Sequence, residues 1–189
     1  MLHEPLTGRR VRLEPLEPRH EEPLWEAAQD ERVFRWFTVR ANESREAFHA
    51  WFEYARRDWL AFATVVDGRP LGSTSYGNVR ERDRVVEIGG TWLAPEAWGT
   101  GANVEAKYLM LRHAFEDEGF LRVEFKTEAT NERSRAALAA LPAEFEGIFR
   151  RHMLVRGGER RDSAWYAVID EDWPEVKARL ERRLAAKLG

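Results

Sequence analysis

Segments with two different hydrophobic periods follow one another along the chain. Hydrophobic residues at every second position, bounded by turn residues, predict strands, and hydrophobic residues three or four apart predict helices. The predicted strands cover residues 11–16, 60–66, 71–76, 85–93, 121–130, 145–155 and 164–169. The predicted helices cover residues 17–28, 48–59, 104–118, 131–141 and 172–188. This order of elements, without an internal repeat, predicts an α+β domain.

Glycine and proline residues mark several element boundaries. Asp67-Gly68 predicts a hairpin turn after the second strand, and Gly157-Gly158 predicts another between the last two strands. Pro142 ends the fourth helix, because the residue before a proline avoids the helical region. Gly89 and Gly90 are adjacent inside a strand, which predicts a bulge or the close approach of another backbone.

Composition excludes several classes of protein. The 189 residues are 43% hydrophobic and 33% charged, as expected for one folded domain, with a core at about residues 8–170 and a C-terminal helix. A net charge of -3 disfavours a nucleic-acid partner, and the absence of cysteine excludes disulfides and thiolate catalysis. The five histidines lack metal-ligand spacing, so no metal is expected. The absence of a signal-peptide pattern and of a long apolar run predicts a cytoplasmic protein with no membrane contact.

The sequence WGTGAN connects the fourth strand to the third helix. Backbone N–H groups at such a helix mouth bind anions, and glycine lets the anion approach closely. The amides in question belong to Gly99, Thr100, Gly101, Ala102 and Asn103. The motif GxxxxGK[ST] is absent, and GxGxxG would need a glycine where Val104 stands. The alternative is a tight turn whose glycines only supply positive φ angles.

From EIGGTWLAPEAWGTGAN to NERSRAAL the sequence resembles the GNAT superfamily of acyl-CoA-dependent N-acetyltransferases, and most closely its RimJ/RimL-like branch. The likeness covers about residues 8–170. The family loop, [QR]xxGx[GA], places Trp98 at its first position, Gly101 at the glycine and Asn103 at the last, where a small residue is usual. The resemblance implies a GNAT-like acyl-CoA N-acyltransferase fold: a mostly antiparallel central sheet with a splayed strand pair, flanked by helices.

The resemblance also implies which residues hold acetyl-CoA. Its diphosphate would bind the loop of residues 98–103. Its pantetheine arm would lie between the splayed strands, against backbone groups of Thr91, Trp92 and Leu93. Asn131 would bond the same arm, with Ser134 and Arg135 following on the short helix. A plain helix cap is the other role open to Asn131.

Acetyl transfer requires a base for the amine, a donor for the developing oxyanion and an acid for the leaving thiolate. Glu87, just before the two glycines, is the predicted base, and an exposed strand carboxylate is the alternative. A backbone amide at Trp92 or Leu93 is the predicted donor. Residues 131–141 contain no tyrosine, so Ser134 is the predicted acid, unless its hydroxyl is bonded locally. His152 is a third candidate.

The predicted acceptor pocket rests on the resemblance and on aromatic content. Its predicted lining residues are Trp36, Phe37, Trp51, Tyr76 and Arg151, although the aromatic residues could equally belong to the core. Arg32, Arg35 and Arg40 would favour a carboxylate-bearing acceptor, unless they form a solvated surface. The expected acceptor is the N-terminal α-amine of a protein or peptide. A small-molecule amine and a non-catalytic acyl-CoA sensor stay open, and relatives that pair suggest a homodimer.

Overall fold

The computed structural model describes residues 1–188. The strands are β1 (Leu6–Thr7), β2 (Val11–Pro15), β3 (Leu60–Val66), β4 (Arg69–Arg80), β5 (Val85–Leu93), β6 (Arg122–Glu128), β7 (Glu144–Val155) and β8 (Glu159–Ile169). The helices are α1 (Glu21–Ala27), α2 (Arg45–Asp58), α3 (Ala102–Arg112), α4 (Glu132–Ala140) and α5 (Trp173–Leu188). The order of the seven predicted strands and five predicted helices is confirmed, and β1 is an eighth strand that the sequence analysis did not predict. The main difference in length is that β4 and β8 extend beyond the hydrophobic residues from which they were predicted, 71–76 and 164–169.

The eight strands form one mixed sheet in the order β1-β2-β3-β4-β5-β6-β8-β7. Every neighbouring pair is antiparallel except β5 and β6, which run parallel. The connection from β5 to β6 contains α3, as a parallel crossover requires. This is the mostly antiparallel α+β sheet that the sequence predicts.

Helices cover both faces of the sheet, and strand alternation decides which side chain faces which helix. On what we call the α3 face, Val86, Ile88 and Val123 pack in a core with α3, α4 and α5. On what we call the α2 face, Ala63 and Trp92 pack with α1, α2 and their aromatic residues. Residues one position away from these along a strand therefore point to the opposite face.

The glycine pair of β5 forms the predicted bulge. The register between β4 and β5 shifts between Ser73, opposite Trp92, and Ser75, opposite Gly89. Gly90 has a φ of 58°, in the left-handed region that glycine adopts without strain. Two residues of β5 thus stand opposite one residue of β4, which increases the local twist of the strand.

A buried lysine supports this bulge from the α3 face. Lys107 donates from Nζ to the hydroxyls of Thr91 (2.6 Å) and Thr74 (3.1 Å), and these hydroxyls lie 2.8 Å apart. Among the residues that the structure describes, no carboxylate lies within ion-pair distance of Nζ. Burial lowers the pKa of Lys107 to about 7, because the interior disfavours the ammonium form.

We predict that Lys107→Met stabilises the protein mainly at low pH. Below about pH 7 the lysine is charged in both the folded and unfolded states, so the cost of burying the charge is fully present. At higher pH only the unfolded state keeps the proton, and the parent gains stability. Urea unfolding should show the advantage of the variant shrinking by roughly 2–3 kcal/mol between about pH 6 and pH 9. A constant difference across that range would contradict the assignment of a titrating buried lysine.

Candidate active site

The candidate site is the gap between β5 and β6. The two strands pair over only three positions, which end at Glu87 opposite Glu124. β6 stays paired with β8 along its whole length, and β5 stays paired with β4 across the bulge. The two strands therefore separate like the arms of a V, and their facing peptide groups remain available to an extended ligand.

Strand geometry selects one of the two predicted oxyanion donors. The N–H of Ala94 donates to the carbonyl of Leu71 on β4 (2.7 Å). Alternate residues of a strand direct their N–H and C=O groups to the same side, so every second residue before Ala94 is also directed toward β4. Trp92 belongs to that set. Leu93 faces the gap instead, and its carbonyl already accepts a hydrogen bond from Trp98 Nε1 (2.7 Å). Of the two amides, that of Leu93 is the one directed into the gap.

The mouth of α3 presents a group of unused backbone donors. Gly99 and Gly101 have φ angles of 76° and 98°, which curl the loop so that its N–H groups converge. Within the described residues, five of these N–H groups make no hydrogen bond: those of Gly99, Thr100, Gly101, Asn103 and Val104. The amide of Ala102 is held more weakly, at 3.3 Å from Thr100 Oγ1. These donors and the helix dipole fit a diphosphate.

Two arginines adjoin this loop: Arg133, which the sequence analysis did not select, and Arg32, which it considered only for the acceptor side. The guanidinium carbon of Arg133 lies 3.6 Å from the ring centroid of Trp98, and that of Arg32 lies 4.9 Å from it. Burial, followed by the charge of Arg32, lowers the pKa of Arg133. The positive charge lies close to the free amides, as an anion site requires. Position along the sequence could not reveal this, because the arginines come from separate elements.

The start of α4 lies on the far side of the gap. Asn131 caps the helix, its Oδ1 accepting from the N–H of Ser134 (3.1 Å). The Ser134 hydroxyl has no hydrogen-bond partner in the described part of the chain and is partly exposed, so the local bond considered for it is not formed. Arg135 donates instead to Tyr166 Oη (3.0 Å) and the carbonyl of Ala129 (3.2 Å). Its guanidinium braces α4 against β8.

Glu87 lies at the point where the strands separate. It is buried on the α2 face, and its Oε2 accepts from Asn78 Nδ2 (2.6 Å) and Lys126 Nζ (2.8 Å). Its Oε1 accepts no hydrogen bond from the described residues and lies next to Gly89, where a Cβ would approach it to 2.9 Å. The alternative of an exposed carboxylate among arginines is therefore excluded. Lys126, which fixes this carboxylate, was missed because it lies 39 residues away, and Asn78, nine residues away, because the strand register that brings it to Glu87 is not visible in the sequence.

Aromatic and imidazole groups surround Glu87 on the same face. A Cβ on Gly89 would also lie 3.1 Å from the Trp59 ring, so that ring packs directly on the bulged strand. His152 Nδ1 lies 3.0 Å from Ser163 Oγ, and its ring packs edge-on against Trp165. Burial lowers the pKa of His152, with smaller effects from Lys126 and Arg161, so the imidazole is neutral at pH 7.

The loop before α2 and the last hairpin meet across this face. The N–H of Arg156 donates to the carbonyl of Thr38 (2.7 Å), and its guanidinium donates to the carbonyl of Phe37 (2.9 Å). Phe37 and its neighbour Trp36 are half-buried beside this contact. Arg151 is exposed on the edge strand, with its N–H bonded to Asp162. We call the space on the α2 face in front of Glu87 the acceptor cleft, and the assignment of Trp36, Phe37 and Arg151 as its lining residues stays a prediction.

The structure corrects two of the predicted lining residues. Tyr76 is fully buried on the α3 face and donates from its hydroxyl to the carbonyl of Met110, so it cannot reach the cleft. Trp51 lies in the aromatic core, with its ring 5.9 Å from that of Trp92 and 5.2 Å from that of Phe34. Both predictions failed because an aromatic residue on an amphipathic element usually faces the core, and sequence does not show which core.

The three arginines predicted to favour an acidic acceptor are engaged elsewhere. Arg32 bonds Asp30 through Nε (2.8 Å) and Nη2 (2.6 Å). Arg40 lies 3.5 Å from Glu43, and Arg35 stacks 5.1 Å from the ring centroid of Trp36. Arg35 and Arg40 belong to a solvated surface, which was the other interpretation open to them, and Arg32 lies beside Trp98 of the α3 loop.

The fold, the splayed strands and the anion loop define an acyl-CoA-dependent N-acyltransferase. The acetyltransferase (GNAT) domain model matches residues 10–143, so the chain belongs to the GNAT family of acetyltransferases. It is an acetyl-CoA-dependent N-acetyltransferase. No curated protein matches its sequence significantly.

Solved structures agree with this family. A provisionally assigned acetyltransferase from T. thermophilus is 38% identical, with a TM-score of 0.89 over 96% of this chain and 97% of that chain. A GCN5-related N-acetyltransferase from Brucella melitensis is 32% identical, with a TM-score of 0.90 over 95% of this chain and 85% of that chain.

Two relatives in the predicted RimJ/RimL-like branch share the fold. Mycobacterium smegmatis RimJ, in complex with CoA-disulfide, is 23% identical, with a TM-score of 0.81 over 96% of this chain and 95% of that chain. The Salmonella typhimurium acetyl transferase that modifies the N-terminal serine of ribosomal protein L7/L12 is 16% identical, with a TM-score of 0.75 over 88% and 99%. Among the described residues, no helix is long and apolar enough to cross a membrane.

We predict that Asn103→Asp weakens coenzyme A binding without loss of stability. The Oδ1 of Asn103 is buried without a partner in the second position of α3. An aspartate there suits the helix dipole but repels the diphosphate, so affinity measured by calorimetry should fall at least about tenfold. Asn103→Ser, which stays neutral, is the control and should keep near-parent affinity. Equal affinity in the aspartate variant would exclude this loop as the diphosphate site.

Proposed function

We propose that this enzyme acetylates the N-terminal α-amino group of a protein or peptide, with Glu87 as the general base. The observation that carries the proposal is the Glu87 carboxylate, which is fixed through Oε2 while Oε1 stays free at the opening of the splayed strands. A base held in this way keeps one lone pair directed at the incoming amine.

Proton transfer is the first requirement of the reaction. A free α-amino group has a pKa of about 8 and is largely protonated at neutral pH. Glu87 Oε1 takes the proton as the amine nitrogen bonds the acyl carbon and the carbon–sulfur bond breaks. The neutral imidazole of His152 lies on the same face and is the second candidate for this role.

Two further groups at the gap complete the assignment. The N–H of Leu93, directed between the strands, stabilises the negative charge that develops on the carbonyl oxygen. The unbonded hydroxyl of Ser134, at the first turn of α4, donates a hydrogen bond that stabilises the leaving thiolate, which takes its proton from solvent. Acetyl-CoA itself supplies the activated acyl group. The free amides of the α3 loop hold its diphosphate, with Arg133 adding positive charge.

Charge in the acceptor cleft favours a peptide over a polyamine or an aminoglycoside. The cations facing the cleft are Lys126, Arg156 and Arg161, against the carboxylates Glu87 and Glu128. Glu87 and Glu128 are each already paired with a cation, so a polycationic acceptor finds no unpaired carboxylate, whereas an N-terminus brings a single amine and neutral amide groups. The Salmonella typhimurium and RimJ structures with this fold support the same class of acceptor.

The test is acetyl-CoA consumption, followed by thiol release, on a panel of N-terminal peptides, amino acids, polyamines and aminoglycosides. The chain has no cysteine and therefore gives no thiol background. Turnover on peptides alone supports the proposal, and turnover on a small amine alone replaces it with the small-molecule alternative. Acetyl-CoA binding without turnover on any amine would support the sensor alternative.

We predict that Glu87→Gln lowers kcat by about 10²–10⁴ and leaves coenzyme A affinity within about twofold. Glu124→Gln is the matched control, because Glu124 is a buried carboxylate on the adjacent strand whose partners are Arg80 and Arg122. A control variant as slow as Glu87→Gln would remove Glu87 as the base.

A further inference from the structure

Arg161 on β8 is a buried cation without a partner. Only 7% of the residue is exposed, and its Nε is buried with no hydrogen-bond acceptor. Within residues 1–188 no carboxylate lies within 4.0 Å of its guanidinium, and none of its nitrogens donates a hydrogen bond. An isolated buried charge is costly, and such groups in folded proteins are normally paired.

Strand alternation places this guanidinium in the acceptor cleft. Ala164 and Tyr166 pack in the α3-face core, so Arg161, Ser163 and Trp165 point to the α2 face, as Glu87 does. Trp165 is paired with Lys126, whose Nζ contacts Glu87. The Arg161 charge also lowers the pKa of His152, which is consistent with this position.

The neighbouring carboxylates are already used. Glu128 accepts from Arg156 Nη2 (2.9 Å), and Glu87 accepts from Lys126 and Asn78. Burial lowers the pKa of Arg161, an effect that Glu128 and Glu87 oppose only from a distance. A guanidinium stays charged at any physiological pH, so one positive charge in the cleft is left over.

We propose that Arg161 binds a carboxylate of the acceptor, so that the preferred acceptors are primary amines with a carboxylate close to the reacting nitrogen. The planar guanidinium matches a carboxylate through two parallel N–H donors. The carboxylate belongs either to an acidic side chain at the start of a peptide or to a free amino acid. The proposal rests on the acceptor cleft assigned under the proposed function.

The test compares amines that differ only in one charge. The acid–amide pairs are the tripeptide amides Asp-Ala-Ala and Asn-Ala-Ala, the tripeptide amides Ser-Glu-Ala and Ser-Gln-Ala, and free alanine with alaninamide. The parent should prefer the acidic member of at least one pair by about 10–100-fold in kcat/KM, the range of a charge-assisted hydrogen bond. A peptide pair or the alanine pair identifies the source of the carboxylate.

Variants separate this role from a structural one. Arg161→Met should abolish the preference while raising the melting temperature, because a buried unpaired charge is removed. Arg161→Lys should keep part of the preference. Arg160→Met is the matched control, since Arg160 carries the same charge on the same strand, is exposed and points to the other face. It should leave the preference unchanged.

A binding measurement decides the question without turnover. Calorimetry with coenzyme A and the N-acetylated form of each compound should show the same preference in the parent and its loss in Arg161→Met. No preference in binding or turnover, or a lower melting temperature for Arg161→Met, would overturn the proposal. Turnover of free alanine but of no peptide would reject the N-terminal acceptor and leave the role of Arg161 intact.

Discussion

The separation of β5 from β6 after three residue pairs is the constraint on which the rest of the site depends. The bulge at Gly90 turns β5 away, and β6 cannot follow because β8 holds its other edge along all seven residues. The gap leaves peptide N–H and C=O groups without partners inside the protein. Burying such groups costs free energy unless a ligand forms their hydrogen bonds. Lys107 lies on the α3 face and supports the bulged strand through hydrogen bonds to the hydroxyls of Thr74 and Thr91.

In the reaction that we propose, the two faces of the sheet have separate roles. The loop before α3 and the first turn of α4 lie on either side of the gap and offer free N–H groups, a free hydroxyl and the Arg133 charge. The α2 face offers Glu87, His152 and Arg161. Acyl donor and amine can therefore approach the same point from opposite sides, which gives direct transfer its required geometry without a covalent intermediate.

Unsatisfied groups distinguish the parts of this molecule that bind from the parts that support. Most arginines of the described chain donate to a carboxylate or a carbonyl, as Arg135 and Arg156 do, and these brace one element against another. Arg161 and the amides of the α3 loop instead lack partners in the folded chain. Because an unmet buried donor is expensive, such groups indicate where a ligand belongs.

The sequence by itself determined the order of elements, the bulge at Gly89-Gly90, the anion loop and the position of Glu87, because each depends on neighbours within a few residues. Periodicity and glycine spacing are local signals. It could not assign Tyr76 and Trp51 to the core, or bring Asn78, Lys126 and Arg161 to Glu87. Those outcomes depend on strand pairing, between residues 9 apart for Asn78 and Glu87 and 39 apart for Lys126 and Glu87, and on which sheet face a side chain occupies. Only the tertiary structure decides them, since a one-residue change of register would reverse every face.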